Sequence, residues 1–178
     1  MTTTTGTTTR LVPGRWTVLP ERSSATFAVG NLGVKVVRGS IAVVSGSLDV
    51  DAAGRPVAVR GELDLSTVDT GVAKRDADLR KPRLLDIDAH PAMSFSCTEV
   101  RSDAAGWCAE GRLSARGTSC PLTVTGTAVE NSPAGTVHVQ GTAVLDRTAI
   151  GVRAPRFMIG RQVTITVDAW LTTAGRPT

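Results

Sequence analysis

Residues 24–29 read Ser-Ala-Thr-Phe-Ala-Val, so that Ala25, Phe27 and Val29 alternate with Thr26 and Ala28. A period of two is that of a β-strand with one apolar face. The same period recurs along the chain, at Leu63 and Leu65, at Met93, Phe95 and Cys97, and at Val163, Ile165 and Val167. These segments are rich in Val and Thr, whose branched Cβ atoms suit a pleated sheet. The pattern predicts an all-β chain of mostly antiparallel strands.

Turn sequences separate the alternating segments at short intervals. Residues 51–54, 103–106 and 131–135 combine Asp or Asn with Ala and a closing Gly, and each predicts a connection between neighbouring strands. About eight strands in one domain must pack as a sandwich or close into a barrel, because an open sheet would leave long unpaired edges. Composition leaves both architectures open.

One segment departs from the period of two. Val72, Asp76 and Leu79 have helical spacing, and Thr70 stands where an N-cap residue would satisfy the first backbone amides. The sequence therefore predicts one short helix over about residues 71–80.

Composition restricts the classes of protein to which the chain can belong. The chain has 178 residues, of which 41% are hydrophobic and 20% charged, as expected for one domain with its own core. No apolar run approaches the roughly 18 residues of a membrane-spanning helix, so integral membrane association is not expected. The net charge of +4 is mild, and aromatic residues make up only 3%. Without basic blocks or stacking platforms, nucleic-acid binding is not expected either.

The residue types of common catalytic and metal sites are missing from any recognisable arrangement. The three cysteines lack C-x-x-C spacing, and His90 and His138 lie far apart. There is no G-x-S-x-G motif and no glycine-rich phosphate loop. We therefore expect no enzyme, no catalytic residue, no metal and no cofactor. The first ten residues lack an apolar signal segment, which predicts a cytoplasmic protein with reduced thiols.

An ordered series of short motifs covers about residues 13–171. Its central part is Val68-Asp69-Thr70-Gly71, Arg75-Asp76-Ala77-Asp78-Leu79-Arg80, Leu84-Leu85-Asp86, His90-Pro91 and Phe95-Ser96. Trp16-Thr17-Val18 precedes it, and Gly111-Arg112-Leu113, Gly117-Thr118-Ser119-Cys120-Pro121-Leu122, Leu145-Asp146-Arg147 and Ile150-Gly151 follow. In order and spacing the series resembles the YceI-like family of bacterial lipid-binding proteins.

The resemblance implies an eight-stranded antiparallel lipocalin-like barrel over residues 13–172, between a disordered Thr-rich tail (1–12) and a flexible tail (173–178). It also implies non-catalytic binding, transport or storage of a long-chain isoprenoid, quinone or similar amphiphilic lipid. The chain departs from the family at Leu19, Arg22 and Asn31, where relatives carry Asp or His. A barrel of eight strands is just wide enough to hold one ligand or to be filled by side chains. The alternative is therefore a stress-related protein-interaction module with a filled barrel.

Alternation and the resemblance together select candidate ligand contacts. Ten apolar residues are predicted to face inward and line a tunnel, although the same chemistry would serve a plain core: Phe27, Val29, Leu65, Leu79, Leu85, Phe95, Leu113, Ile150, Phe157 and Ile165. Arg22, Arg75 and Arg147 are candidates for a polar head group, because a guanidinium matches phosphate oxygens. For all three a structural or surface role is the favoured alternative. The lipid is the expected partner, and a homodimer is left open.

Overall fold

A computed structural model describes residues 10–103, 105–129, 135–155 and 158–173. Most of the predicted N-terminal tail (1–9) and most of the C-terminal tail (174–178) lie outside these residues, and so does Phe157. Residues 10–12 lie against the barrel, where the Leu11 amide donates to the Gly54 carbonyl at 3.2 Å. Thr173 is the last residue of the final strand.

Ten antiparallel strands make up nearly all of the regular structure. They are β1 (Gly14–Val18), β2 (Ser24–Asn31), β3 (Lys35–Val50), β4 (Pro56–Asp69), β5 (Ala92–Cys97), β6 (Val100–Asp103), β7 (Gly106–Ala115), β8 (Thr118–Val129), β9 (Thr136–Asp146) and β10 (Ile159–Thr173). The turns predicted at 51–54 and 103–106 join β3 to β4 and β6 to β7. Short 3-10 turns occupy Pro20–Arg22 and Arg147–Ile150.

The sheet closes into a barrel because its last strand pairs with both β2 and β9. The order around the barrel is β10-β2-β3-β4-β5-β7-β8-β9, which returns to β10. The other two strands, β1 and β6, do not add positions to the barrel, because each lies in line with another strand. Trp16 of β1 lies opposite both Thr173 and Leu48, in line with β2, and β6 continues β5 along β7. The predicted eight-stranded antiparallel barrel is confirmed, with two of its eight positions broken into two strands each.

The predicted helix is present but shorter than the expected 71–80. Helix α1 spans Ala73–Leu79 and begins after Val72, which makes no side-chain cap. Thr70 is not the N-cap, since Gly71 turns the chain with a φ of 74° before the helix starts. The Asp76 carboxylate instead accepts from the Thr70 amide and hydroxyl. Within the described ranges, no helix is long and apolar enough to cross a bilayer.

The interior is divided between two apolar clusters. The larger one lies at the end of the barrel near α1 and contains Leu65, Ile87, Leu113 and Ile150 among its buried residues. The smaller one surrounds Trp16 at the opposite end. Leu84 and Ile87 come from the segment between α1 and β5, so this connection closes one end of the barrel. The space between the two clusters is where a site can form.

Candidate functional site

An apolar cavity of about 210 Å³ lies inside the barrel between the two clusters. Leu113 and Leu122 of the larger cluster line it, and so do Leu48 and Leu171 of the smaller one. An engineered apolar cavity of about 150 Å³ already binds benzene and stays dry. The cavity is therefore large enough to hold part of an apolar ligand.

Nine of the ten predicted contact residues are described, and eight of these lie at the cavity or belong to, or pack against, the larger cluster. Phe95, Leu113 and Ile165 line the cavity. Leu65 and Ile150 are buried in the larger cluster, and Phe27, Leu79 and Leu85 pack against it. Val29 is half-buried between Val37 and Val163 on neighbouring strands. The structure thus brings three of the predicted residues together around one cavity.

Trp107 of β7 lines the cavity. Its register partner is Gly126, and Gly126 in turn lies opposite Gly141. A Cβ on Gly126 would approach Trp107 Cζ2 to 2.7 Å, and one on Gly141 would approach Cη2 to 3.0 Å. The two glycines therefore leave room for the indole to cover the wall instead of filling the interior.

The indole nitrogen of Trp107 is buried and has no hydrogen-bond partner among the described residues. An unsatisfied buried donor costs roughly 1–3 kcal/mol, so such groups are rare. The accessible surface of the surrounding cavity is almost entirely apolar, although serines and the charged residues Arg60 and Glu62 also border it.

The cavity reaches the barrel wall near the start of β4. Residues 56–58 pair with β3 but not with β5, and β6 pairs only with β7 among the described pairings. Pro56, Val59 and Val100 border this unpaired stretch and line the cavity, and Leu11 joins them from the N-terminal segment. The wall is therefore held by side chains rather than by backbone hydrogen bonds at this place.

Arg147 is 4% exposed and is held entirely by backbone carbonyls. Its Nε donates to Gly160, and its two terminal nitrogens donate to Val152, Ala154 and Ile159 at 2.8–2.9 Å. Four charge-assisted hydrogen bonds use the donors that a head group would need. This geometry favours the structural role for Arg147.

Arg75 and Asp76 both bind the residue that precedes the helix. Arg75 Nε donates to the Thr70 hydroxyl at 2.8 Å, and its terminal nitrogen donates to the Thr70 carbonyl at 3.1 Å. Together with the Asp76 contacts, these bonds fix the turn between β4 and α1. A structural role is favoured here as well.

Arg22 lies on the outside of the barrel. Its guanidinium carbon is 4.1 Å from the centre of the Trp170 ring, and Trp170 stacks on His138 at 4.6 Å. His138 contacts Asp168 at 2.6 Å. Burial raises the pKa of Asp168, but hydrogen bonds from Gln140 and His138 outweigh it and hold that pKa below its ordinary value. The three candidate arginines therefore occupy separate places, and none lines the cavity.

A model of the YceI-like domain matches residues 16–171. The chain belongs to the YceI-like domain family. Among curated relatives, it is 32% identical to a UPF0312 protein of Yersinia enterocolitica over 55% of this chain and 52% of the relative. It is 31% identical to a UPF0312 protein of Pectobacterium carotovorum over 54% and 50%. The chain thus spans about half the length of the curated relatives it matches.

Solved structures show the same fold at low identity. BcnA of Burkholderia cenocepacia superposes with a TM-score of 0.73 at 16% identity, over 86% of this chain and 98% of that one. A polyisoprenoid-binding domain of Saccharophagus degradans, implicated in plant cell wall breakdown, gives 0.66 at 14% identity, over 89% and 98%. The likeness extends over the whole barrel.

Within this YceI-like barrel, sequence reasoning missed several residues of the cavity wall. Trp107, Val124, Val139 and Val167 line it but were not among the predicted contacts. Alternation in β8, β9 and β10 could have found the valines. Arg60 also borders the cavity and is exposed. In the described part of the chain, no group of three or more His, Cys, Asp or Glu side chains could hold a metal ion.

Proposed function

We propose that the chain is a non-catalytic binding protein whose cavity holds the apolar part of an isoprenoid, quinone or similar amphiphilic lipid. The observation that carries the proposal is the apolar cavity of about 210 Å³ between two packed clusters. Family membership and the polyisoprenoid-binding neighbour from Saccharophagus degradans support this class of ligand.

The energetics of an empty cavity support an occupant. Core cavities cost about 24 cal/mol per Å³, so a cavity of 210 Å³ costs on the order of 5 kcal/mol when nothing fills it. An apolar chain that enters the cavity offsets this cost and removes its own surface from water. Water in the cavity would offset little of this free-energy cost, because the wall offers it few hydrogen-bond partners.

The unpaired stretch between β4 and β6 is a suitable entry for such a ligand. Pro56, Val59 and Val100 border it with apolar side chains, and the neighbouring Arg60 is exposed. We infer that the apolar tail enters here and that Arg60 meets a polar or anionic head group outside. This assignment supplements Arg22, Arg75 and Arg147, whose side chains are engaged elsewhere.

The Trp107 indole N–H adds a preference within this class of ligand. A carbonyl or ether oxygen near the cavity wall would satisfy the buried donor, whereas a pure hydrocarbon would leave it unpaired. We therefore expect tighter binding of prenyl chains that carry an oxygen acceptor than of hydrocarbons of equal length.

Native mass spectrometry tests the proposal. Protein purified without detergent is compared with the same protein after delipidation and after incubation with prenyl alcohols and prenylated quinones. We expect one ligand per chain, identified in an organic extract of the same sample. A spectrum that stays free of adducts under all three conditions would reject the carrier and favour the protein-interaction module.

A further inference from the structure

The hairpin between β2 and β3 projects beyond the barrel rim. Residues 35–39 of β3 pair only with β2, since the pairing of β3 with β4 begins at Ser40. The start of β10 accompanies the hairpin, because Ile159 lies opposite Asn31 and the Leu32 amide donates to the Met158 carbonyl at 3.1 Å. We call residues 30–38 together with 158–159 the hairpin tip.

The hairpin tip concentrates exposed apolar side chains. Val34 is 88% exposed, Val36 59%, Leu32 57% and Met158 46%. Contiguous exposed apolar residues mark interaction sites far more often than isolated ones do. They lie on a protrusion, whereas protein partners are usually met by a flatter surface with aromatic side chains at its centre.

The backbone of the turn presents one of these side chains at a conformational cost. Leu32 has a φ of 51°, in the left-handed region that Gly or Asn would adopt with less strain. Neither the larger nor the smaller cluster includes Leu32, so burial does not compensate for the strain. A large apolar residue at this position therefore calls for a partner outside the described chain.

The charge around the tip is positive, with one acidic residue, Asp69 of β4, lining the same surface pocket as Arg38. Lys35 and Arg38 are exposed, and neither makes an ion pair within the described residues. Residues 23–48 and 147–167, which form the tip and the strands that carry it, contain no Asp or Glu at all. Basic residues beside exposed apolar ones match a negatively charged lipid surface, where phosphates attract the cations and the interface accepts the apolar groups.

We propose that the hairpin tip is a peripheral docking site for anionic lipid bilayers. Leu32, Val34 and Met158 enter the interfacial region, while Lys35 and Arg38 pair with lipid phosphates. The tip is built from residues that do not line the cavity, so docking does not depend on the proposed ligand.

Co-sedimentation of the full chain with large unilamellar vesicles tests the proposal. One vesicle preparation contains phosphatidylglycerol and phosphatidylcholine, and the other contains phosphatidylcholine alone. We expect binding to the anionic vesicles that weakens as salt is raised, and at least about fivefold weaker binding to the neutral ones. Sedimentation that equals the vesicle-free control with both preparations would overturn the proposal.

Matched variants locate the contact. Val34→Glu should weaken binding about tenfold, because it removes an inserted side chain and adds repulsion. Replacing Lys35 and Arg38 together by Gln should weaken binding and flatten its salt dependence. Val144→Glu is the control, since Val144 is 53% exposed on β9, which contributes no residue to the hairpin tip. If Val144→Glu loses as much binding as Val34→Glu, or if neither loses any, the tip is not the docking site.

Thermal unfolding checks that each variant is folded, and ligand loading is measured separately by native mass spectrometry. A chain that binds anionic vesicles but takes up no lipid would retain the docking site and reject the proposed function. A chain that takes up lipid but does not bind vesicles would retain the proposed function and reject the docking site.

Discussion

Val167→Phe is the most direct perturbation of the cavity. Val167 lines it from β10, so a larger side chain at this position extends into the cavity. Phe exceeds Val by about 50 Å³, which is about a quarter of the 210 Å³ cavity. At about 24 cal/mol per Å³, filling that volume should stabilise the empty protein by about 1 kcal/mol.

The same substitution should weaken ligand binding. A ligand that needs the filled volume must give up part of its tail contacts, and we expect its uptake to fall about tenfold. Urea unfolding measures the stability, and native mass spectrometry with a fixed prenylated ligand measures the uptake. The two effects have opposite signs, so general damage to the fold cannot produce both.

Val144→Phe is the matched control, because Val144 belongs to β9 and is 53% exposed on the outside of the barrel. It should change neither quantity by more than the error of the measurement. The reasoning would be refuted by a Val167→Phe protein that is as stable as the wild type and still takes up ligand equally well. The ligand would then lie outside the cavity.

Four further substitutions test other parts of the barrel. Gly126→Ala should cost about 3 kcal/mol of unfolding free energy in urea, because its Cβ would lie 1.8 Å from a carbonyl oxygen of the next strand. Gly61→Ala, whose Cβ meets nothing within 4 Å, should stabilise by about 0.5 kcal/mol. Arg147→Met should cost about 4 kcal/mol in the same assay, since it leaves four carbonyls without their donor. Asp168 has a lowered pKa in the folded state. Its ionised carboxylate therefore stabilises the fold fully above the ordinary carboxyl pKa of about 3.9, and this contribution is lost as the pH falls through the lower pKa of the folded state. The difference in stability between wild type and Asp168→Asn should therefore shrink below about pH 4, and a constant difference would contradict this assignment.

The strands were predictable because their signal is local. Alternation at Ala25, Phe27 and Val29 depends only on which side of a pleat each side chain takes. Barrel closure was not predictable from the same signal, since it depends on the pairing of β9 with β10 and of β2 with β10. A sandwich would show the same alternation, and only the family resemblance favoured the barrel.

The cavity was less predictable than the strands. Leu65 and Phe95 both face inward, yet Leu65 is sealed in the larger cluster and Phe95 lines the cavity. The difference arises from Leu84 and Ile87, which fill one end of the barrel from a connection without a regular pattern. Sequence periodicity predicts whether a residue points into or out of the barrel. It does not predict which residues on the opposite side of the barrel contact it.

The arginines show the same limit for polar groups. Arg147 was predicted as a candidate for a polar head group, but its partners are four backbone carbonyls. Asp146 binds Arg161 instead, at 2.6 Å. The acceptors around the Arg147 guanidinium are carbonyls of residues 152, 154, 159 and 160, and no local motif predicts that these carbonyls converge there.

Gly126 and Gly141, which lie beneath Trp107, help to explain why side chains do not fill the cavity. Glycine inside a strand costs about 0.5–1 kcal/mol relative to alanine, and here two of them lie side by side in β8 and β9. A larger residue at Gly141 would push the indole toward the centre and into the interior, whereas one at Gly126 would also collide with the Gln140 carbonyl. An empty cavity of this size costs on the order of 5 kcal/mol, which is comparable to the whole stability of a marginal domain. A barrel selected only for stability would fill this space, and the arrangement around Trp107 keeps it open. This energetic cost supports the proposal that the cavity binds a ligand.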